Sequence, residues 1–353
     1  MRHKELVFFY KPLVKYFTDM TLFYITAPNL ISFIESFLRQ YRIYGLMAEG
    51  EDLFWQKLNN DNTPNITITR YRALQPVKTF FFPVKEEVSE DSPEMKTMLV
   101  GVKGCDINHL KTTDAIFSSG VVTDPYYAKK REDTIIISSD CDKFKSCCFC
   151  TLMGEAPYAA KGFDLNLTPT RSGYLVETGT PRGEALVASR KHFFQDPQPV
   201  IIQERDILRS KMTQAVASNN KDFTWTDPKS TVSKEYNSQK WENDIASTCV
   251  ECDACRFSCG TCYCFLLSET NKLWGKIRTW DSCQSAGYAR VAGGSNPKKT
   301  RGARLRNLYT CKLVYRHENF GFYACTGCGR CIDACQGKID IRKSLQKLST
   351  PDK

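Results

Sequence analysis

Apolar residues fall at Leu30, Ile31, Ile34, Phe37 and Leu38 within PNLISFIESFLRQY (28–41). This is the spacing of one helical face, and Pro28 suits a first turn, so the segment predicts an amphipathic helix. RIYGLM (42–47) follows as a short strand. TMLVGVK (97–103) and TIIISS (134–139) are brief apolar runs, the pattern of strands buried on both faces, and INHLKTTDAIF (107–117) between them reads as a helix. Strand, helix, strand over about forty residues predicts a βαβ unit and a parallel pair. GYLVETG (173–179) adds a further strand. Residues 1–218 therefore read as an α/β domain. The stretch NNKDFTWTDPKSTVSKEYNSQK (219–240) is polar and poor in aliphatics, the pattern of a linker. Residues 241–353 form a second domain, with helical character in NDIAST and in CIDACQGKIDIRKSL.

The N-terminal MRHKELVFFYKPLVKYFTDMTLFYIT is apolar and aromatic, but Lys11, Pro12, Lys15 and Asp19 divide it into short runs. None approaches the ~20 residues of a membrane span, and no small-residue cleavage pattern follows a basic start. Residues 1–19 read as a leader or an extended start, with Met20 as an alternative beginning.

Composition sharpens the second domain. The chain has 353 residues and seventeen cysteines: Cys105, four between Cys141 and Cys150, and twelve between Cys249 and Cys335. A chain of this length with 42% apolar residues does not need a disulfide scaffold, so reduced thiols in a cytoplasmic protein are expected. Cys249, Cys252, Cys255 and Cys259 read C-x2-C-x2-C-x3-C, and Cys325, Cys328, Cys331 and Cys335 repeat that spacing. Three cysteines at this interval wrap three irons of a cubic cluster, while the fourth reaches a neighbouring cluster. One [4Fe–4S] cluster is therefore expected on Cys249, Cys252, Cys255 and Cys335, and a second on Cys259, Cys325, Cys328 and Cys331. A zinc-stabilised binding protein without redox activity is the alternative. Tetrahedral zinc is satisfied by two C-x2-C pairs, which would leave the third and fourth cysteine of each run surplus. Sixty-five residues separate the runs, favouring an α-helical two-cluster ferredoxin-like domain over the small β-rich one.

Cys105 follows one predicted strand and Cys141 the next, and the carboxyl ends of parallel strands form the crevice where ligands bind. With SCCFCTLMG behind them, a third cluster is expected on Cys105, Cys141, Cys148 and Cys150, with Cys147 as the alternative to Cys148. Cys262, Cys264 and Cys283 read as packing residues or as ligands of a further metal, and Cys311 as a core thiol. The formal net charge of +10 would fall to about +4 with three clusters of roughly −2 each, so much of the basic excess is assigned to cluster neutralisation. KKTRGARLR (298–306) lacks an aromatic stacking platform, which argues against nucleic acid and for a solvated or docking surface. His3, His109, His192 and His317 form no metal or triad spacing, and no G-x-G-x-x-G follows a strand. No catalytic residue is assigned.

GVKGCDINHL, DPYYAKKR, CDKFKSCCFCTLMG, FDLNLT and GYLVETG, followed by CVECDACRFSCGTCYCF, RTWDSC, VAGGSNPK and ACTGCGRCIDAC, resemble a family of iron–sulfur subunits. It comprises the beta subunit of cytosolic sulfhydrogenases and the corresponding iron–sulfur subunit of anaerobic sulfite reductase. The resemblance runs from about residue 25 to 345. It implies an electron-transfer subunit between a flavoprotein that binds FAD and NAD(P) and a catalytic hydrogenase, sulfite reductase or heterodisulfide reductase subunit. It also favours Cys148 over Cys147 as a ligand. The chain departs from bacterial ferredoxins in carrying Gly260 and Gln336 where proline follows the fourth cysteine.

Overall fold

The computed structural model describes residues 20–88, 95–120, 122–225, 227–271 and 275–350. The 1–19 segment read as a leader or extended start lies outside the described residues. The first half holds β1 (Leu22–Thr26), α1 (Ala27–Glu35), β2 (Arg42–Glu49), β3 (Asp52–Lys57), β4 (Lys85–Glu87), β5 (Thr97–Val102), α2 (Gly104–Phe117), α3 (Pro125–Glu132) and β6 (Thr134–Ser139). It continues through β7 (Leu165–Pro169), β8 (Gly173–Thr178), α4 (Pro181–Ser189) and α5 (Pro199–Asn219). The second half holds α6 (Pro228–Lys234), α7 (Ala254–Phe257), β9 (Phe265–Glu269) and β10 (Lys276–Trp280). The remaining helices are α8 (Arg301–Thr310), α9 (Arg316–Phe320), α10 (Arg330–Asp333) and α11 (Ile341–Ser349).

Seven strands form one sheet in the order β1-β8-β7-β6-β5-β2-β3. The central pairs β2·β5, β5·β6 and β6·β7 are parallel, and the outer pairs β1·β8, β7·β8 and β2·β3 are antiparallel. β5 and β6 are almost wholly buried, with apolar residues at their centres, because both faces of the sheet are covered. Met98, Val100, Ile135 and Ile137 pack under α1 and α4, while Leu99 and Ile136 pack under α2. Strand alternation would send Val102 to the same face as Val100. Instead the register shifts between Val100 and Val102, where Gly101 adopts φ +91°, and Val102 joins the opposite core. This bulge at the carboxyl end of β5 leads directly into Gly104 and Cys105 at the start of α2.

The second half is mixed, not purely helical as expected from the sequence. β9 and β10 form an antiparallel hairpin whose outer partner is β4, from the first half. This three-stranded sheet ties the two halves together, and Arg278 on β10 pairs with Glu86 and Asp124 across the junction. The helical part packs around Leu305, Leu308 and Tyr309 of α8 and Ile341, Leu345 and Leu348 of α11. Spacings of four and three residues put the α11 trio on one stripe, each side chain contributing ~1.5–3 kcal/mol on burial. The segment 219–240, read as a linker, contains α6, whose Val232 is fully buried in this same core. Its polar composition reflects short, capped helix: the Asp227 side chain accepts from the backbone N–H groups of Lys229 and Ser230.

Candidate metal centre

The two C-x2-C-x2-C-x3-C runs meet. Cys249, Cys252, Cys255 and Cys259 line one cavity together with Cys325, Cys328, Cys331 and Cys335. The runs reach it as tight loops, with Glu251, Asp253, Gly327 and Gly329 at positive φ and the short α7 and α10 completing each wrap. The eight thiols are mutual electrostatic neighbours across the two runs: Cys335 acts on Cys249 and Cys255, and Cys259 acts on Cys255, Cys325, Cys328 and Cys331. Leu305, Leu308, Tyr309 and Ile341 form the apolar part of the wall.

The strand-end cysteines converge as well. Cys105, Cys141, Cys148 and Cys150 line a second, smaller cavity, which also borders Gly327 and Cys328. Cys141 leaves β6 and its N–H donates to Pro157 O at 2.9 Å; Cys150 opens a 3-10 turn through Met153. Cys147 is not on this wall. Its thiol faces Arg72 Nη2 at 3.5 Å, and hydrogen bonding to Cys148, then burial, push it well above the ordinary thiol range. Of the adjacent cysteines, Cys148 borders the cavity and Cys147 borders Arg72.

The two cavities are held together by glycine. Gly327 has φ +67°, and a Cβ there would stand 2.5 Å from Cys150 Cα and N and from Phe149 C. The Phe149 N–H donates to Gly327 O at 2.8 Å. The loop of the second run therefore lies against the loop of the strand-end site at a distance that no side chain allows. Gly260 is equally constrained, since a Cβ would fall 2.5 Å from His109 Cγ. That contact gives a steric reason for the missing proline after Cys259.

Buried cations surround the thiols. Lys312 Nζ donates to Cys259 Sγ at 3.0 Å and to Cys262 Sγ at 3.2 Å. Burial would lower its pKa, but Cys259 and Cys262 outweigh burial and raise it well above the lysine norm. Arg330 donates to Asp106 Oδ2 at 2.8 Å, and Asp106 Oδ1 lies 3.2 Å from His109 Nδ1. His109 Nε2 contacts Thr326 Oγ1 at 2.9 Å, and the ring borders the larger cavity. Burial opposes a charged ring, yet the Cys328 charge and the Asp106 hydrogen bond bring His109 up to about 9. Burial would likewise raise Cys328, but His109 and Arg330 bring it down to about 6. Lys103 donates to Ile68 O at 2.8 Å and Ser139 Oγ at 2.7 Å beside Cys141 and Cys105; burial lowers its pKa. His109, which in the sequence stood only near Cys105, is a site residue that spacing did not reveal. The basic excess was the one sequence signal for the buried Lys and Arg residues.

These residues fit polynuclear iron–sulfur groups. The cysteines ring two adjoining cavities. Thiolate ligands of a net-negative cluster also suit the buried cations around them. All seventeen cysteines are free thiols. No helix among the described residues is long and apolar enough to cross a membrane.

Residues 248–339 match the 4Fe-4S dicluster domain family, which gives the class: an iron–sulfur protein with paired ferredoxin-type ligand runs. Over 322 residues the chain is 29% identical to sulfhydrogenase 2 subunit beta of Pyrococcus furiosus, covering 87% of this chain and 92% of that protein. Together the two findings support the iron–sulfur beta subunit family and an iron–sulfur electron-transfer role.

Proposed function

We propose that this chain holds three [4Fe–4S] clusters and relays electrons between an FAD- and NAD(P)-binding flavoprotein and a catalytic subunit in the cytoplasm. The catalytic subunit is of hydrogenase, sulfite reductase or heterodisulfide reductase type. The ligand sets are Cys249, Cys252, Cys255 and Cys335; Cys259, Cys325, Cys328 and Cys331; and Cys105, Cys141, Cys148 and Cys150. The observation that carries this reading is the shared wall: Cys328 borders both cysteine-lined cavities. Bound clusters supply one-electron chemistry. The chain's own residues hold them, exclude water with Leu305, Leu308 and Ile341, and offset their charge with Lys312, Arg330 and His109. Potentials respond to these hydrogen bonds and charges.

Partner contact belongs at the edge where Val250, Cys252, Lys299 and Arg301 are all exposed beside the first ligand run. Glu251 at this edge is paired with Arg304, and the exposed Lys299 and Arg301 beside Val250 fit an acidic redox partner, with encounter rates that fall as salt rises. Anaerobically purified chain should be brown and carry about twelve irons. About eight irons would remove the third cluster, and a colourless, zinc-loaded protein would end the relay reading. Anaerobic affinity purification should recover both a flavoprotein and a catalytic subunit. Charge reversal at Lys299 and Arg301 should weaken that recovery at low salt; unchanged recovery would remove this edge from the interface.

A further inference from the structure

One cluster of sulfur lies outside all three ligand sets. The Asp281 N–H donates to Cys264 O at 3.0 Å, extending the β9–β10 ladder by one pair beyond Phe265↔Trp280. In that register Cys283 lies two residues beyond the partner of Cys264 and so returns to the same face of the hairpin. The Cys264 and Cys283 thiols are hydrogen-bonded to each other, and the Tyr288 hydroxyl hydrogen-bonds Cys264. Cys262, by contrast, is tied to Cys259 and Lys312 and belongs with the ligand run.

Arg256 supplies the second, independent observation. It is 1% exposed, its Nη2 donates to Cys264 O at 3.0 Å, and its Nε has no hydrogen-bond partner. A buried guanidinium is costly unless an anion faces it. The groups whose charge acts on it most strongly are the thiols of Cys262, Cys264 and Cys283. The site thus stabilises a thiolate, and the two members of the pair differ in access. Cys264 is half-buried, whereas Cys283 is buried with Gln284 Nε2 3.8 Å from its sulfur.

We propose that Cys264 and Cys283 form a redox-active thiol pair that exchanges with small-molecule disulfides, Cys264 as nucleophile and Cys283 as resolving thiol. The hydrogen bond from Cys283 comes first in bringing Cys264 down to about 5; burial opposes it, and Arg256 and Tyr288 reinforce it. The same hydrogen bond, with burial, keeps Cys283 well above the thiol norm and hence protonated. Near-neutral conditions then give one accessible thiolate beside one protonated thiol, the division found in reactive cysteine pairs. In the first step the Cys264 thiolate attacks one sulfur of the small disulfide. A protein–small-molecule S–S bond forms, the original S–S bond breaks, and one small thiolate leaves. In the second step Cys283 attacks the Cys264 sulfur, its proton passing to the departing second small thiol. Two protein thiols are oxidised to one disulfide, and one small disulfide is reduced to two thiols. No other oxidant is required.

The test uses the anaerobic, cluster-loaded chain and 2-hydroxyethyl disulfide at pH 7, followed by acid quench, alkylation and peptide mass spectrometry. The wild type should yield a Cys264–Cys283 cross-linked peptide with the cluster absorbance retained. Cys283→Ser should instead accumulate a mixed disulfide on Cys264. Cys264→Ser should slow modification in this region by at least about tenfold, as expected when the thiolate nucleophile is removed. The proposal is overturned if the wild type forms no cross-link while its clusters stay intact. It is also overturned if Cys283→Ser is modified no faster at Cys264 than at other thiols. Metal content that drops in both variants would assign the pair as ligands and overturn it as well.

Discussion

Replacing Gly327 with alanine should loosen the join between the two cysteine-lined cavities. The new Cβ would stand 2.5 Å from three backbone atoms of Phe149 and Cys150, where ordinary contact begins at 3.4 Å, so the loops must separate by about 0.9 Å. Overpacking of this kind costs ~1–3 kcal/mol. Holding alanine at φ +67° adds ~1–2 kcal/mol. The stiffer unfolded chain offsets ~0.4–1 kcal/mol, leaving a net destabilisation of ~1–4.6 kcal/mol. If local opening limits access, iron should pass to a chelator roughly 5- to 2,000-fold faster, at tenfold per ~1.4 kcal/mol. The assay is anaerobic iron release followed by the loss of visible absorbance. Gly294→Ala is the control, since Gly294 also has positive φ, +80°, but its Cβ would meet nothing within 4 Å. It bears the backbone cost alone. Equal release rates for the two variants would refute the steric argument and with it the glycine-enforced contact between the sites.

Other outcomes follow from the same contacts. Cys148→Ser should lose about four irons while Cys147→Ser retains them, because only Cys148 borders the smaller cavity; equal iron contents would reverse that distinction. Lys312→Met removes a buried cation 3.0 Å from Cys259 Sγ and should lower one midpoint potential by tens of millivolts, at about 60 mV per ~1.4 kcal/mol for one electron. An unchanged potentiometric titration would separate Lys312 from cluster tuning. Asp114 binds Arg131 at 2.8 Å and accepts from Tyr127 at 2.6 Å, all buried, so Asp114→Asn should destabilise the α/β half by ~3–5 kcal/mol. Wild-type hydrogen-exchange protection in α2 and α3 would contradict this.

Much of the α/β half was legible because its central strands are short apolar runs. TMLVGVK, TIIISS and GYLVETG became β5, β6 and β8, and the parallel β5·β6 pair formed as the βαβ pattern required. Edge strands were harder: β3 is only partly buried, so its alternation is diluted by solvent-facing residues. α5 was missed for a similar reason. It spans 21 residues, yet its fully buried positions are Ile201, Met212 and Val216, too sparse for a regular stripe. The 219–240 segment looked like a linker because α6 has one core side chain, Val232, among polar neighbours. The hairpin β9–β10 escaped a helical expectation for the second half because its strand pairing with β4 lies across the chain.

Cysteine spacing alone marked the two loops whose eight thiols line one cavity, since it sets which thiols one turn of backbone can aim at one group. The linear chain also carried the family resemblance and the positive charge that such groups need. Which loops share a wall was settled by folding, as was the placing of His109, 217 residues from Thr326, between them. Folding also separated Cys147 from Cys148 and paired Cys264 with Cys283. Local spacing encodes reach along a few residues of backbone; convergence of distant residues is set by how sheets, helices and glycine contacts pack.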